Sequence, residues 1–284
     1  MSKTWETILR TDYFKEKFNR YWLSDNPNIT WDIITDNPDY NWVYYFISKN
    51  PNITWDIVQQ NPDIAWDWVN LSQNPNITWD IIQENPHISW NYEMISKNPS
   101  ITWDIIRDNP DIPWNYSWIS RQPNITWDIV EENPRIPWDY HFLSENPNIT
   151  WDIVESNSDR FWAYNSLSSN INITWEIVKS NPYRLWNYLC LSENPNITWE
   201  NVQEKPDKHW DYGLLSKNPS ITWDIIQENP HINWSYYSLS KNPNITWDIV
   251  CDNLDKQWSY DMLSANKMSK HPFFQNKQLS YVLK

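Results

Sequence analysis

The chain has 284 residues, of which 40% are hydrophobic and 17% aromatic, including 24 Trp and 16 Tyr. This much apolar surface excludes a disordered chain, which lacks the side chains to build a core. The formal net charge is −14, from 22 basic and 36 acidic residues. This balance argues against binding along nucleic-acid backbones or to anionic membranes, because both need clusters of Lys and Arg.

The cysteines and the first residues bear on the compartment. Cys190 and Cys251 fall at different places in the repeat described below, which indicates free thiols in a reducing environment. The first residues lack the apolar core of a secretion signal, and no stretch is apolar enough to span a membrane. We therefore expect an intracellular protein that is not secreted and does not enter a membrane.

Residues 1–24 read as a degenerate repeat. Thr4-Trp5-Glu6-Thr7-Ile8 resembles a motif that recurs later as Thr-Trp-Asp-Ile-Ile, and Leu23-Ser24 is in register with Ile47-Ser48. The stretch between them is more charged than the later units. Because the terminal units of solenoids need a polar outer face, we predict an N-terminal capping repeat.

Residues 25–264 consist of ten tandem units of 24 residues. One Trp recurs from Trp31 to Trp247 and a second from Trp42 to Trp258, both at every 24th residue. A fixed period of this length predicts a solenoid of stacked repeats. The ten units are 25–48, 49–72, 73–96, 97–120, 121–144, 145–168, 169–192, 193–216, 217–240 and 241–264.

Both halves of each unit carry the signals of a short helix. Thr30 precedes Trp31 as an N-cap, and Asp32 follows in the first turn, where an acid interacts favourably with the helix dipole. In the second half, Tyr140 and Leu143 have the spacing of neighbours on one helix face. An Asn-Pro pair ends most of these helices after about seven to nine residues, because the residue before proline avoids the α conformation.

We predict an all-α fold, an elongated α-solenoid of ten helix–turn–helix repeats. At about 8–10 Å per helix layer, ten units give a curved rod on the order of 100 Å long. A β-solenoid is the alternative, because Ile29, Trp31 and Ile33 alternate with polar residues. Helices are favoured, since Pro113 and Pro137 suit the first turn of a helix but damage a β-ladder.

Residues 265–284 leave the repeat pattern. They contain several Lys and the apolar sequence Pro272-Phe273-Phe274. We predict that they form a C-terminal cap, because the last unit needs cover, and a docking tail is the alternative.

The chain offers no constellation for catalysis, a metal or a cofactor. Its single glycine, Gly213, excludes phosphate-binding loops, and its histidines and cysteines are too scattered for zinc. The serine that follows Leu or Ile in each unit, from Ser24 to Ser264, has no histidine at a matching place. We therefore predict a non-enzymatic protein, in which these serines form hydrogen bonds at helix ends.

Eight Asn-Ile-Thr sequences are formal acceptors for N-glycosylation. Asn beside Pro also has its own turn chemistry, and for an intracellular chain we interpret these asparagines as turn and cap residues. They are Asn28, Asn52, Asn76, Asn124, Asn148, Asn172, Asn196 and Asn244.

The two rows of Trp predict a buried aromatic spine. A row of Tyr from Tyr44 to Tyr260, with Trp68 in one unit, is compatible with the core or with an exposed stripe for a partner. An exposed stripe would also suit the stacking of single-stranded bases, although the acidic charge disfavours this function.

The second turn of the unit changes in the second half of the chain. Its usual Ile, as in Ile136, is replaced by Arg160, Arg184, Lys208 and Lys256. Equal places in a solenoid stack, so the first three would form a row about 10 Å apart. We predict a partner-binding site here. The alternative is that these side chains lie over neighbouring Trp rings.

The recurring Asn-Pro-Asn-Ile-Thr-Trp-Asp-Ile, first met at residues 26–33, is completed by Trp-x-Tyr-x-x-Leu-Ser. In these motifs the chain resembles repeat proteins encoded by large DNA viruses of amoebae and algae. The resemblance covers residues 25–264 and implies a viral origin and a repeat scaffold, but no activity and no site. The stretch from Arg160 to Lys208 departs from the pattern.

We therefore expect a non-enzymatic scaffold that presents an extended surface to a protein partner. The resemblance implies that this partner is a host factor or a virion component, and that the protein lies in the host cytoplasm or in the virion. Binding of single-stranded nucleic acid along the aromatic and basic stripe is the alternative function.

Overall fold

The computed structural model describes residues 20–266, which form 21 short helices and no β-strand. The predicted all-α repeat fold is confirmed, and the β-solenoid alternative is wrong for this part of the chain. Two kinds of helix alternate, and each unit contains one of each. We call the helix that begins at the first Trp the A helix, and the helix that follows the second Trp the B helix.

The ten A helices are α2 (Trp31–Asp36), α4 (Trp55–Gln60), α6 (Trp79–Glu84), α8 (Trp103–Asp108), α10 (Trp127–Glu132), α12 (Trp151–Ser156), α14 (Trp175–Ser180), α16 (Trp199–Glu204), α18 (Trp223–Glu228) and α20 (Trp247–Asp252). The eleven B helices are α1 (Arg20–Asp25), α3 (Tyr44–Ile47), α5 (Trp68–Ser72), α7 (Tyr92–Ile95), α9 (Tyr116–Arg121), α11 (Tyr140–Leu143), α13 (Tyr164–Ser169), α15 (Tyr188–Glu193), α17 (Tyr212–Lys217), α19 (Tyr236–Leu239) and α21 (Tyr260–Ala265).

Most A helices begin at a Thr side chain and end at an Asn side chain that the sequence identifies. In α2, the Thr30 hydroxyl accepts a hydrogen bond from the backbone N–H of Ile33 at 3.4 Å, as predicted for an N-cap. At the other end, the Asn37 side chain donates to the Ile33 carbonyl at 2.8 Å, and the Asn37 carbonyl accepts from the indole of Trp42 at 3.0 Å. The asparagine thus ends the helix and fixes the second Trp.

The helices are shorter than predicted. They have four to six residues instead of seven to nine. In the A helices the Asn that precedes Pro acts as the C-cap and not as part of the last turn, as Asn37 does, whereas the four-residue B helices end at a Ser C-cap, as at Ser48. Helices of this length do not form alone in water, so contacts between units must hold them.

The serine near the end of each B helix joins neighbouring units. The Ser48 hydroxyl donates to the Tyr44 carbonyl at 2.7 Å and accepts from the backbone N–H of Asp67 in the next unit at 2.9 Å. The predicted bond at the helix end is confirmed. The bond to the following unit adds a contact that the repeat pattern does not reveal.

The core is a continuous layer of aliphatic and aromatic side chains. Ile53 and Leu71 of unit two are fully buried, and each equivalent place in the described units carries a buried aliphatic residue. The first Trp of one unit stacks against the second Trp of the next, as Trp79 does against Trp114 with ring centroids 5.8 Å apart. The predicted aromatic spine is thus formed by pairs that span the boundary between units.

A ladder of buried side-chain amides runs through the turns before the A helices. Asn74 donates to the carbonyls of Ser48 and Asn50 in the preceding unit at 2.9 and 3.0 Å, while its own oxygen accepts from the backbone N–H of Asn76. We call the residues at this place the ladder amides. They are Asn26, Asn50, Asn74, Asn98, Gln122, Asn146, Asn170, Asn194, Asn218, Asn242 and Asn266, and all are buried.

The ladder closes on itself. Asn26 donates to the carbonyls of Ser264 and Asn266 at 2.7 and 3.3 Å, just as Asn74 does to Ser48 and Asn50. The helix α1 packs against α21 on one side and against α3 on the other. Ten steps of 24 residues separate Asn26 from Asn266, and the closing step makes a ring of eleven repeats.

The expected open rod is therefore replaced by a closed ring. Neighbouring B helices contact each other directly, whereas the second Trp of the following unit lies against the first Trp of each A helix, as Trp66 does against Trp31. The A layer is thus wider than the B layer, and each unit is a wedge. The eleven described B helices close into a ring when each step rotates by about 33° relative to the last.

The predicted capping segments lie mostly outside the described residues. The roles of residues 1–19 and 267–284 stay predictions. The described end of the N-terminal repeat, α1, lies between α3 and α21 and has a neighbour on both sides.

The asparagines of the Asn-Ile-Thr sequences serve the turns, as predicted. Asn52 donates to the carbonyls of Pro27 and Ile29 in the preceding unit at 2.6 and 2.9 Å. The nitrogen that would carry a glycan is thus engaged in holding two units together. The same nitrogen donates across the unit boundary at Asn76, Asn124, Asn148, Asn172, Asn196 and Asn244.

Ring closure predicts a cross-link between the two ends of the described chain. Side chains at the place of Asp25 meet in adjacent units, as Lys49 and Asp25 do at 2.9 Å. In a background with Cys190→Ser and Cys251→Ser, we expect Asp25→Cys and Ala265→Cys to be joined within one molecule by a short bis-maleimide. The linked peptide is detected by mass spectrometry after proteolysis.

The control pair is Asp25→Cys with Glu145→Cys, which occupies the same place in a distant unit. Equal rates of intramolecular cross-linking for the two pairs would contradict the ring.

We expect the loss of a single ladder amide to lower the free energy of unfolding substantially. Asn146 donates to the carbonyls of Ser120, Gln122 and Ile125. Asn146→Leu leaves these buried carbonyls without that donor, and we expect a loss of about 2–3 kcal/mol in the free energy of unfolding, measured by urea denaturation. Asn146→Gln should lose less, because Gln122 makes the equivalent bonds naturally. Equal stabilities of the Leu variant and the wild type would show that the ladder does not stabilise the ring.

Candidate functional site

The four predicted cations lie exposed on the second turns of their units. Arg160, Arg184 and Lys208 occupy successive units, whereas Ile232 separates Lys208 from Lys256. Lys256 pairs with the adjacent carboxylate of Asp255 at 3.0 Å. The structure therefore groups the first three cations in neighbouring turns and places the fourth apart from them.

Two of these cations lie over aromatic rings of the preceding unit. The guanidinium of Arg184 is 5.9 Å from the ring centroid of Trp151 and 5.8 Å from that of Tyr164. The ammonium of Lys208 is 5.6 Å from the ring of Tyr188. The interpretation that these side chains lie over neighbouring Trp rings is thus confirmed for Arg184, whereas Lys208 lies over a Tyr ring, and partner binding stays a prediction.

The tyrosines next to these cations have raised pKa values. Burial raises the pKa of Tyr164, and the positive charge of Arg184 partly offsets this increase. Burial also raises the pKa of Tyr140, with Arg160 acting in the opposite direction. The cations therefore interact electrostatically with the Tyr row as well as lying near it.

The Tyr row belongs mainly to the core and is not an exposed stripe. Tyr188 packs edge-on against Trp210 of the next unit with ring centroids 5.0 Å apart, and Tyr140 packs in the same way against Trp162 at 5.3 Å. Burial raises the pKa of several members of the row, namely Tyr44, Tyr116, Tyr140, Tyr164 and Tyr188. A Tyr side chain whose aromatic ring packs against Trp has little free ring face on which a base could stack.

Three large apolar side chains stand beside the cations, fully in solvent. Phe161 is 89% exposed, Tyr183 is 96% exposed and Leu185 is 81% exposed. They occupy the second turns of units six and seven, directly adjacent in sequence to Arg160 or Arg184. We call Arg160, Phe161, Tyr183, Arg184, Leu185 and Lys208 the basic–apolar patch.

Sequence analysis did not identify the apolar residues of the patch, although the sequence contains a signal for them. The place of Phe161 and Leu185 is occupied by Ala65, Ser89 or Pro113 in earlier units. Small or polar residues at a turn indicate solvent exposure, so a large apolar residue at the same place indicates an exposed hydrophobic group.

The groove between units seven and eight has several basic side chains in its lining. A cavity of about 340 Å³ is bordered by Lys179, Arg184, Lys205 and Lys208, together with Glu204. Lys179 is paired with Glu176 at 2.8 Å and lies 3.7 Å from Glu204. Since the chain as a whole is acidic, this groove gives the ring a local region of positive charge.

A serine, a histidine and a carboxylate meet at Ser166, His141 and Glu145, but not as a catalytic triad. The Ser166 hydroxyl donates directly to Glu145 at 3.2 Å and lies 3.3 Å from the Nδ1 atom of His141. In a triad the histidine separates the serine from the acid. Ser166 is also buried, so its oxygen is not presented to a substrate.

Within residues 20–266, no group of His, Cys, Asp and Glu side chains has the arrangement of a metal site. No helix in this range is both long and apolar enough to cross a bilayer. Comparisons with protein-family models, curated proteins and solved structures find no significant match to this chain.

The contact between Arg184 and Tyr164 predicts a titration change. Arg184→Ile restores the residue usual at this turn and removes a cation that stabilises the tyrosinate. We expect the pKa of Tyr164 to rise further, as measured by NMR titration of ¹³C-labelled tyrosine. The control is Arg135→Ile, which makes the same charge change at an exposed turn in another unit. An unchanged or lower pKa of Tyr164 would contradict the contact.

Proposed function

We propose that the protein is a non-enzymatic, ring-shaped scaffold that binds a protein partner through the basic–apolar patch. The observation that carries this proposal is the exposure of Phe161, Tyr183 and Leu185 beside the cations of consecutive turns. The fold does not require these residues, since the same turns elsewhere carry small or polar side chains.

Burial against a partner would stabilise a complex substantially. Each large apolar side chain contributes roughly 1.5–3 kcal/mol when it leaves water. Aromatic and Arg side chains dominate the energetics of protein interfaces, and the patch contains both kinds. Three apolar residues with neighbouring cations therefore have the composition of an interface centre.

The charge of the patch indicates the chemistry of the partner. Arg160, Arg184 and Lys208 form a local basic region on an otherwise acidic chain. A partner segment that carries Asp or Glu beside apolar residues would complement both features. The resemblance to viral repeat proteins supports a host factor or a virion component as this partner, inside the infected cell or the particle.

Nucleic acid is the less favoured ligand. Stacking of bases needs free aromatic faces along a positive groove. Here the Tyr rings pack edge-on against Trp, as Tyr164 does against Trp186, and the net charge of the chain is −14. An exposed apolar patch fits a protein surface better than a phosphate backbone.

A photo-cross-linker at position 183 tests the proposal. Tyr183 is replaced by p-benzoylphenylalanine in the full chain, in cells that naturally contain the protein, and adducts are identified by mass spectrometry. We expect one discrete protein adduct, reduced at least tenfold by Phe161→Ala combined with Leu185→Ala. These substitutions should leave the fold intact, because both side chains lie in solvent.

The matched control places the same cross-linker at Ile171, an exposed apolar residue on the other turn of unit seven. The same adducts from positions 171 and 183 would contradict a specific patch. An adduct with RNA or DNA would instead support the nucleic-acid function.

A further inference from the structure

A groove recurs at the boundary between successive units. One wall consists of the first Trp and the B-helix aromatic residue of one unit, and the other consists of the second turn of the next unit. Cavities at this place border Trp55 and Trp68, Trp127 and Tyr140, and Trp175 and Tyr188. The same surface is therefore presented several times with different side chains.

In the groove of unit six, the chain itself supplies a cation. Trp151 and Tyr164 both pack against Trp186 of the next unit, with ring centroids 5.5 and 5.6 Å apart. The guanidinium of Arg184 lies over Trp151 and Tyr164. This arrangement shows that the groove geometry accommodates a positive group against two aromatic rings.

The groove of unit seven repeats the arrangement with a different cation. Trp175 and Tyr188 pack against Trp210, and the ammonium of Lys208 lies over the ring of Tyr188. Arg and Lys thus both occupy this place, which indicates that positive charge next to the rings is the shared property.

The groove of unit two has stronger aromatic walls and no cation of its own. Trp55, Trp68 and Trp90 lie with ring centroids 5.8 to 6.5 Å apart. Trp68 stands where most units have Tyr, and Ile88 stands where unit seven has Arg184. No Lys or Arg lines this groove.

This groove is also the largest of the three. Its cavity is about 760 Å³, compared with about 340 Å³ in the groove that contains Lys208 and about 190 Å³ in the one that contains Arg160. Ala65 lines the unit-two cavity at the place where unit six has Phe161. The small residue leaves Trp55 and Trp68 at the wall of the cavity, where Trp68 is 37% exposed, whereas Trp90 packs against both rings and is itself buried.

We propose that the groove lined by Trp55 and Trp68, both of which pack against the buried Trp90, binds a Lys or Arg side chain of a partner protein. The incoming cation takes the place that Arg184 and Lys208 fill from within the chain in other units. Trp is the aromatic residue that attracts cations most strongly. The net charge of −14 also raises the local concentration of basic segments near the ring.

The proposal is independent of the basic–apolar patch, because the groove lies in a different part of the ring and selects the opposite charge. Both sites nevertheless involve the second turn of a unit. Ile88 leaves the groove open to an external cation, and Arg184 closes the equivalent groove with an internal one.

The test uses Nα-acetyl-arginine amide as the probe and its neutral analogue, Nα-acetyl-citrulline amide. The full chain is labelled with 5-fluorotryptophan, and ¹⁹F resonances of Trp55, Trp68 and Trp90 are assigned through single Trp→Tyr variants. We expect the arginine probe to shift these three resonances in a saturable way, and the citrulline analogue to shift them weakly.

Ile88→Arg should supply the cation from within the chain and weaken binding of the probe at least tenfold. Trp68→Leu should weaken it between about 2-fold and 30-fold, the range of a cation–π contact. The matched control is Ile112→Arg, the same substitution one unit further on, which should leave the probe's affinity unchanged.

Equal shifts with citrulline, shifts spread over many Trp, or equal effects of Ile88→Arg and Ile112→Arg would each overturn the proposal. Sedimentation of the unliganded protein identifies another occupant. Self-association that Ile88→Arg abolishes would mean that a second copy of this chain, and not a different partner, supplies the cation.

Discussion

The rest of the structure depends on one buried carboxamide per unit. Each ladder amide donates from one nitrogen to carbonyls in the preceding unit, as Asn146 does to Ser120 and Gln122. Most of the ladder amides also accept a hydrogen bond at the side-chain oxygen from their own turn, as Asn146 does from Asn148. Helices of four to six residues leave many terminal carbonyls without a helical partner. The ladder supplies those partners from the next unit, and it therefore converts short, unstable helices into a continuous stack.

Closure follows from repeating this bond without change. An open stack would expose the aromatic layer at each end, and a single Trp accounts for about 200 Å² of apolar surface, or roughly 5 kcal/mol. In the ring, α1 packs against α21 and removes the two free ends of the row of B helices. Asn26 forms the same pair of hydrogen bonds to the last unit that Asn74 forms to its predecessor.

The period, the Thr caps, the Asn-Pro helix ends and the Trp core could be predicted from the sequence, because each depends on residues close together in the chain. Closure could not be predicted, since it depends on the difference in width between the A and B layers, and a few degrees per unit decide between a ring and an open rod.

The ladder of buried amides could not be predicted for another reason. Asn74 before Pro75 is already explained by the turn, so nothing in the sequence indicated that its side chain is buried. The basic residues of the candidate site could be identified from the sequence by their change of charge, whereas the sequence analysis did not identify Phe161, Tyr183 and Leu185.

Some residues of each unit hold the ring together and others vary at its surface, and this difference explains where binding can arise. The ladder amide, the helix-end serine and the two Trp each contact a neighbouring unit, so a substitution there disturbs the ring. The second turn is less buried, and its residues vary from Ile88 to Arg184 and from Ala65 to Phe161. Because the groove beside this turn has the same aromatic walls in successive units, one side chain decides its character. A cation fills it from within, and Ile with small neighbours leaves it open. A ring built from nearly identical parts can thus present different sites around its circumference without any change in its fold.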